Sequence, residues 1–92
     1  MDKGLMRNLK SLLTERYPED SEYIDHIHDG MSVGLTMKRF LNGEDIDDLL
    51  GYNDSVIREY VFKLFAELTG TSYDYFYQVW LWYGKIQQML NA

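Results

Sequence analysis

Leu5, Leu9, Leu12 and Leu13 recur at the spacing of one helix face, and the pattern stops at Pro18, whose ring biases Tyr17 away from helical geometry. A first helix is therefore predicted before that proline. Asp20 or Ser21 offers an N-cap for a short second helix carrying Tyr23, Ile24 and Ile27 and ended by Gly30. Ser32 caps a third, in which Val33, Met37, Phe40 and Leu41 share a face before Asn42-Gly43 breaks it. A short acidic helix, EDIDDLL, stops at Gly51. After the turn Tyr52-Asn53-Asp54, the segment SVIREYVFKLFAEL puts Ile57, Tyr60, Val61, Leu64 and Leu68 on one stripe, and Gly70 ends it.

The last segment opens with YDYFYQVWLWYG, seven aromatics in residues 73–84. As a strand it would be bulky on both faces, in a chain with no other convincing strand to pair with. A helix accounts for it better. Thr71 with Asp74 makes a capping box, and the segment runs on through KIQQML. On a helical wheel Trp82, Ile86, Val79, Leu90, Tyr83, Phe76, Trp80 and Tyr73 cover about 180°, with Asp74, Gln78, Lys85 and Gln88 opposite. Tyr77 and Leu81 fall on the polar side, and Trp82 sits at the border of the apolar arc, so these three are expected to contact another chain, either a second copy or a target. The expected fold is all-α: one domain over residues 1–92, a compact bundle of five to six short helices with a long aromatic C-terminal helix.

Composition adds constraints. The chain has 92 residues, 46% hydrophobic and 26% charged, with one proline and no cysteine. That is globular material without a disulfide framework or thiolate metal sites, and cytoplasm is the expected compartment. No apolar run approaches the ~20 residues that span a bilayer, and no basic region precedes an apolar one. The net charge is −6, and it is unevenly placed. Lys3, Arg7, Lys10 and Arg16 outweigh Asp2 and Glu15 by two in residues 1–18. In residues 19–54, Glu19, Asp20, Glu22, Asp25, Asp29, Glu44, Asp45, Asp47, Asp48 and Asp54 face only Lys38 and Arg39, a balance of −8. Such a field repels phosphate and attracts basic partners.

No motif demands catalysis. On a helix His26 and His28 lie about 200° apart, so they do not chelate one ion together, although Glu22 lies one turn from His26. GEDIDDLLGYND lacks the ligand offsets of a calcium loop, and the glycines form no phosphate cradle. No enzyme activity, metal or cofactor is expected.

Within residues 44–68, EDIDDLLGYNDSVIREYVFKLF resembles the helix-turn-helix: a short helix, a turn glycine (Gly51), polar Asn53, Asp54 and Ser55, and apolar Ile57 six residues after the glycine. The resemblance implies a dimeric DNA-binding regulator, with the C-terminal helix as dimer seam and with Lys38, Arg39, Asn53, Ser55, Arg58 and Lys63 on DNA. Two features depart from it. Asp47 stands where the family usually has a small residue, and the outer face of the second helix reads Arg58, Glu59, Phe62 and Lys63, whose outward Phe62 suits a protein surface. The stretch LLGYNDSVIREYVFKL also resembles the first half of the PWI domain of RNA-processing factors, without its Pro-Trp-Ile signature.

In size and charge the chain resembles phage-encoded inhibitors that compete with DNA, some anti-CRISPR proteins among them. The expected function is thus a small acidic interaction protein, an inhibitor or adaptor whose segment 19–54 docks on the basic surface of a nucleic-acid-handling partner. Phe62, Tyr77, Leu81 and Trp82 are its expected apolar contacts, and a homodimer through the C-terminal helix or a plain structural helical subunit are the alternatives.

Overall fold

The leucine-spaced N-terminal segment folds as two helices rather than one, because residue 8 leaves helical geometry to cap the second. In the computed structural model, which describes residues 3–91, α1 spans Lys3–Met6 and α2 spans Leu9–Arg16. Between them Asn8 is extended, and its side-chain oxygen accepts the Ser11 N–H at 3.0 Å. The freed backbone pairs with the chain ahead of α4 (Val33–Leu41): Leu9 N–H donates to Met31 O at 2.8 Å and Val33 N–H to Arg7 O at 2.9 Å. This stitch holds α1 against α4 so closely that a Cβ on Gly34 would lie 3.0 Å from the Leu5 carbonyl.

Pro18–Asp20 form a 3₁₀ turn and α3 spans Ser21–Ile24, well short of the predicted stop at Gly30. Tertiary bonding ends it early, since His28 N–H donates to Leu50 O at 2.6 Å and satisfies the end of another helix. Ser32 caps α4 as its position predicts, accepting the Leu35 N–H. Asp45 caps α5 (Ile46–Leu50), which closes on left-handed Gly51, φ 68°. Asp54 caps α6 (Ser55–Thr69), accepting from Val56 and Ile57. The described residues thus hold seven α-helices and no strand, an all-α fold with two more helices than the smaller number expected, the N-terminal split supplying one of them.

Helix α7 (Tyr73–Leu90) is capped by Ser72, not Thr71: the Ser72 hydroxyl accepts the Tyr75 N–H at 3.2 Å. Thr71 belongs to the preceding helix end instead, its N–H donating to Ala66 O at 3.0 Å in a Schellman-type closure beside left-handed Gly70.

The core centres on α6, which buries Ile57, Val61, Phe62, Leu64, Phe65 and Ala66. Phe40 of α4 and Phe76 of α7 pack on the same two rings, with centroids 5.2 Å apart for Phe40–Phe62 and 5.5 Å for Phe65–Phe76. The expectation of an outward Phe62 is therefore corrected: it is fully buried, enclosed by Phe40, Tyr73 and Phe76. A two-helix corner leaves that side open, and here α4 and α7 close it.

The 180° core arc expected of α7 is corrected too. Phe76 alone is buried, while Tyr73, Val79, Trp80, Tyr83 and Ile86 are half-buried and Trp82 and Leu90 are exposed. At ~1.5 Å per residue α7 is about 27 Å long, and its second half projects along a side where no other helix covers it fully.

Candidate protein-interaction site

The corner between α5 and α6 is locked by charge. The Arg58 guanidinium donates through Nε to Asp47 Oδ1 at 3.2 Å and through Nη2 to Asp47 Oδ2 at 3.0 Å, and Nη2 also reaches Asn53 Oδ1 at 3.0 Å. Trp80 of α7 covers it, with the guanidinium carbon 4.4 Å from the ring centroid. Arg58 and Asp47 side chains are only 13% and 20% exposed, so this fork ties α5, α6 and α7 together in a partly dehydrated setting. Asp47 thus has a structural role in the corner, as the anchor of Arg58.

Beyond this lock the acidic helix and the aromatic helix stand apart and face one another across a groove of 890 Å³. Glu44, Asp45, Asp47 and Asp48 line one wall; Trp80, Leu81, Tyr83, Gly84 and Lys85 line the other. Tyr83 braces its floor, donating its hydroxyl to Leu41 O at 2.5 Å and setting its ring edge-on to Phe40. A hollow of 350 Å³ lined by His28, Asp29, Met31 and Arg39 lies on the other side of the same Glu44–Asp48 ridge.

Gly84 is the least expected member of the wall. It sits inside α7, where glycine is unfavourable by about 1 kcal/mol against alanine, yet a Cβ there would meet nothing within 4 Å. Packing within the chain gives no reason for it, and it lies on the groove wall.

The ten acids of residues 19–54 do different jobs. Asp45 and Asp54 are helix caps, and Asp47 holds Arg58. Asp20 accepts the Tyr60 hydroxyl at 2.5 Å; that bond, then burial and the nearby acids, push Tyr60 up to about 12. Asp29 accepts from Asn8 Nδ2 and from the Gly30 N–H. Glu44 takes a two-point bond from Arg39 at 2.7 and 2.6 Å, which holds its carboxyl below the usual range. Among the described residues Glu19, Glu22, Asp25 and Asp48 carry no ion pair or side-chain hydrogen bond, and of these only Asp48 lines the groove.

The expected apolar contacts separate in space. Phe62 is core, as above. Tyr77 is half-buried between Tyr73 and Trp80, ring centroids 5.8 and 5.7 Å away. Leu81 is exposed and lines the groove, and it shares with the exposed Trp82 a second hollow farther round α7, lined also by Tyr75, Gln78, Val79 and Lys85.

The cations named for DNA are largely committed elsewhere. Arg58 is locked, Arg39 is on Glu44, Lys63 lies 3.4 Å from Glu59, and the Asn53 oxygen is on Arg58. Ser55 and Lys38 remain exposed, Lys38 without an ion pair among the described residues. The two histidines also find neighbours within the fold, His26 stacked on Tyr52 at 5.3 Å and His28 lying over Gly51, where a Cβ would run into its ring. The described residues contain no group of three or more metal-ligating side chains, and no helix long and apolar enough to cross a membrane.

Trp80, Tyr83 and Gly84 are wall residues that periodicity alone does not mark, since the helical wheel puts the first two on the apolar arc expected to be core. The out-of-place helical glycine is the one signal that could have marked the wall. Comparison with protein-family models, with curated proteins and with solved structures gave no match to this chain.

Proposed function

We propose that this chain is a non-enzymatic protein-interaction protein, an inhibitor or adaptor that holds a basic, amphipathic segment of a nucleic-acid-handling partner in the groove between α5 and α7. One observation carries this: the fold sets the acids Glu44, Asp45, Asp47 and Asp48 across 890 Å³ of open space from Trp80, Leu81 and Tyr83. Aromatic side chains on such a wall supply affinity through buried area, while the acids raise encounter rate and select for lysine and arginine. The volume is that of a site for a few side chains, about 300–1,000 Å³. A partner whose basic face normally holds nucleic acid presents the complementary chemistry, and occupying it would exclude phosphate.

The dimeric DNA-binding alternative has less support. It keeps the corner of α5, Gly51 and α6, but its would-be recognition helix is covered by α7 and Trp80 sits over its arginine. Lys38 alone among the named cations has no partner in the described residues.

The test is titration of isotope-labelled protein with a lysine-rich amphipathic peptide. Amide shifts at Asp48, Trp80 and Gly84 are expected, weakening with salt. Gly84→Trp should fill the groove and abolish them with helicity unchanged, and duplex DNA at low salt should produce no shift. Unperturbed groove amides at saturating peptide, or a Gly84→Trp protein that binds as well as wild type, would defeat the proposal.

A further inference from the structure

On the side of α7 away from the groove, apolar residues recur as Tyr75, Val79, Trp82, Ile86 and Met89, at intervals of four, three, four and three. That is the seam spacing of a coiled coil, sustained over two heptads. Its arc is narrow, about 80°, and lies roughly 100° round the helix from Phe76 and Tyr83, which face the body of the protein. Trp82 is about 160° round the helix from Trp80, so the seam and the groove lie on different sides of α7, with Leu81 and Lys85 bordering both. Tyr75, Trp82, Met89 and the adjoining Leu90 are 48, 60, 77 and 76% exposed. Large side chains carry about 150–250 Å² each, so these four leave about 500 Å² uncovered per copy. With Val79, Ile86, Gln78 and Lys85 added, the face approaches the roughly 800 Å² per partner of a standard interface.

We infer that this face is the seam of an antiparallel homodimer built from two copies of α7. Among the described helices only α7 offers a seam of this length, so the chain carries its own matching partner, as a two-fold interface requires. A two-fold axis passing α7 between Trp80 and Leu81 sets Trp82 of each copy on Val79 of the other, and Tyr75 on Ile86. Each layer then joins a large ring to a β-branched side chain, a filling that two stacked tryptophans would not give. The same register brings Lys85 of each copy beside Gln78 and Asp74 of the other, an opposite-charge contact made twice, and places no like charges together. The acids of α5 line the groove and not the hollow beside the seam, so none of them stands at the interface.

Sedimentation equilibrium of the whole chain over a wide concentration range should show a reversible dimer. Trp82→Glu should raise its dissociation constant by roughly 100-fold or more, as expected for an interface anchor, with helicity retained because Trp82 is exposed in the monomer. Asp74→Lys should weaken the dimer, and Asp74→Lys with Lys85→Glu should restore it. The chain has no cysteine, so Gln78→Cys mixed with Lys85→Cys should cross-link heterotypically, faster than Lys85→Cys with itself. A wild type that stays monomeric, a Trp82→Glu protein that still dimerises, or preferential Lys85→Cys self-linking would overturn the inference.

Discussion

Helices α6 and α7 are consecutive, similarly rich in large apolar residues and joined by a tight turn, yet α6 buries six residues and α7 buries one. The difference lies in their neighbours. α6 lies between α2, α4 and α7, so even its would-be outer side, at Phe62, is enclosed by rings from two other helices. α7 lies at the edge and meets the body along one face, through Phe76 and Tyr83; Trp80 lines the groove, and Tyr75 and Trp82 stand on the seam. Apolar content reports what a helix is able to bury, and only the number of surrounding elements decides how much it does bury. The surplus on α7 is surface available for other chains.

The sharpest test of that contrast is a pair of truncations. Phe62→Ala in α6 should destabilise by about 3–5 kcal/mol, read from urea midpoints at constant slope, because the void is walled by four other rings, those of Phe40, Phe65, Tyr73 and Phe76. Trp82→Ala in α7 should change monomer stability by less than about 0.5 kcal/mol, measured at concentrations too low for association. Equal losses would erase the distinction between the two helices.

Second in size is the lock joining the pair. Arg58→Met keeps the stem beneath Trp80 but strands Asp47 with little water, and about 2 kcal/mol should be lost in the same assay. Loss of Trp80 fluorescence anisotropy without loss of stability would show that Arg58 positions the groove rather than holding the fold.

A smaller effect separates α6 from the N-terminal segment. Tyr60 donates to Asp20 and stacks on Tyr17 at 3.8 Å. Its folded-state value, about 12, exceeds the ordinary 10.0. The neutral phenol is therefore favoured by folding: its contribution is complete below pH 10 and is lost as pH rises toward 12. Denaturation midpoints should fall across that window in wild type and fall less in Tyr60→Phe.

The smallest predicted change has the opposite sign. Gly84→Ala should raise thermal stability by about 0.5–1 kcal/mol, since the new methyl meets nothing and the helix gains propensity. A destabilised Gly84→Ala would mean that an intrachain contact, not the groove, explains the glycine.

Much of this architecture is legible in residue order. Ser32 before Val33, Gly51 after Leu50 and Gly70 after Thr69 place helix ends because caps act through backbone groups one to four residues away. The acidity of residues 19–54 is equally plain, as is the surplus of aromatics in residues 73–84. Local rules fail where distant backbone competes. Asn8 leaves a leucine-spaced helix because residues 31–33 offer hydrogen bonds to residues 7–9, and α3 stops early because Leu50 takes the His28 N–H.

The candidate site divides the same way. The acidic and apolar residue types were readable, but not which acids are free to act: Asp48 is, whereas Asp45 caps a helix and Asp47 holds an arginine eleven positions on. By itself, then, the sequence determined an all-α chain, most of its helix ends, and two contrasting segments, one acidic and one aromatic. The tertiary structure decided that Phe62 is core and that Leu81 and Trp82 stay exposed, and it set the aromatic wall opposite the acid wall. Periodicity assigns a residue to a face of its own helix, whereas what that face meets depends on packing among helices far apart in the chain.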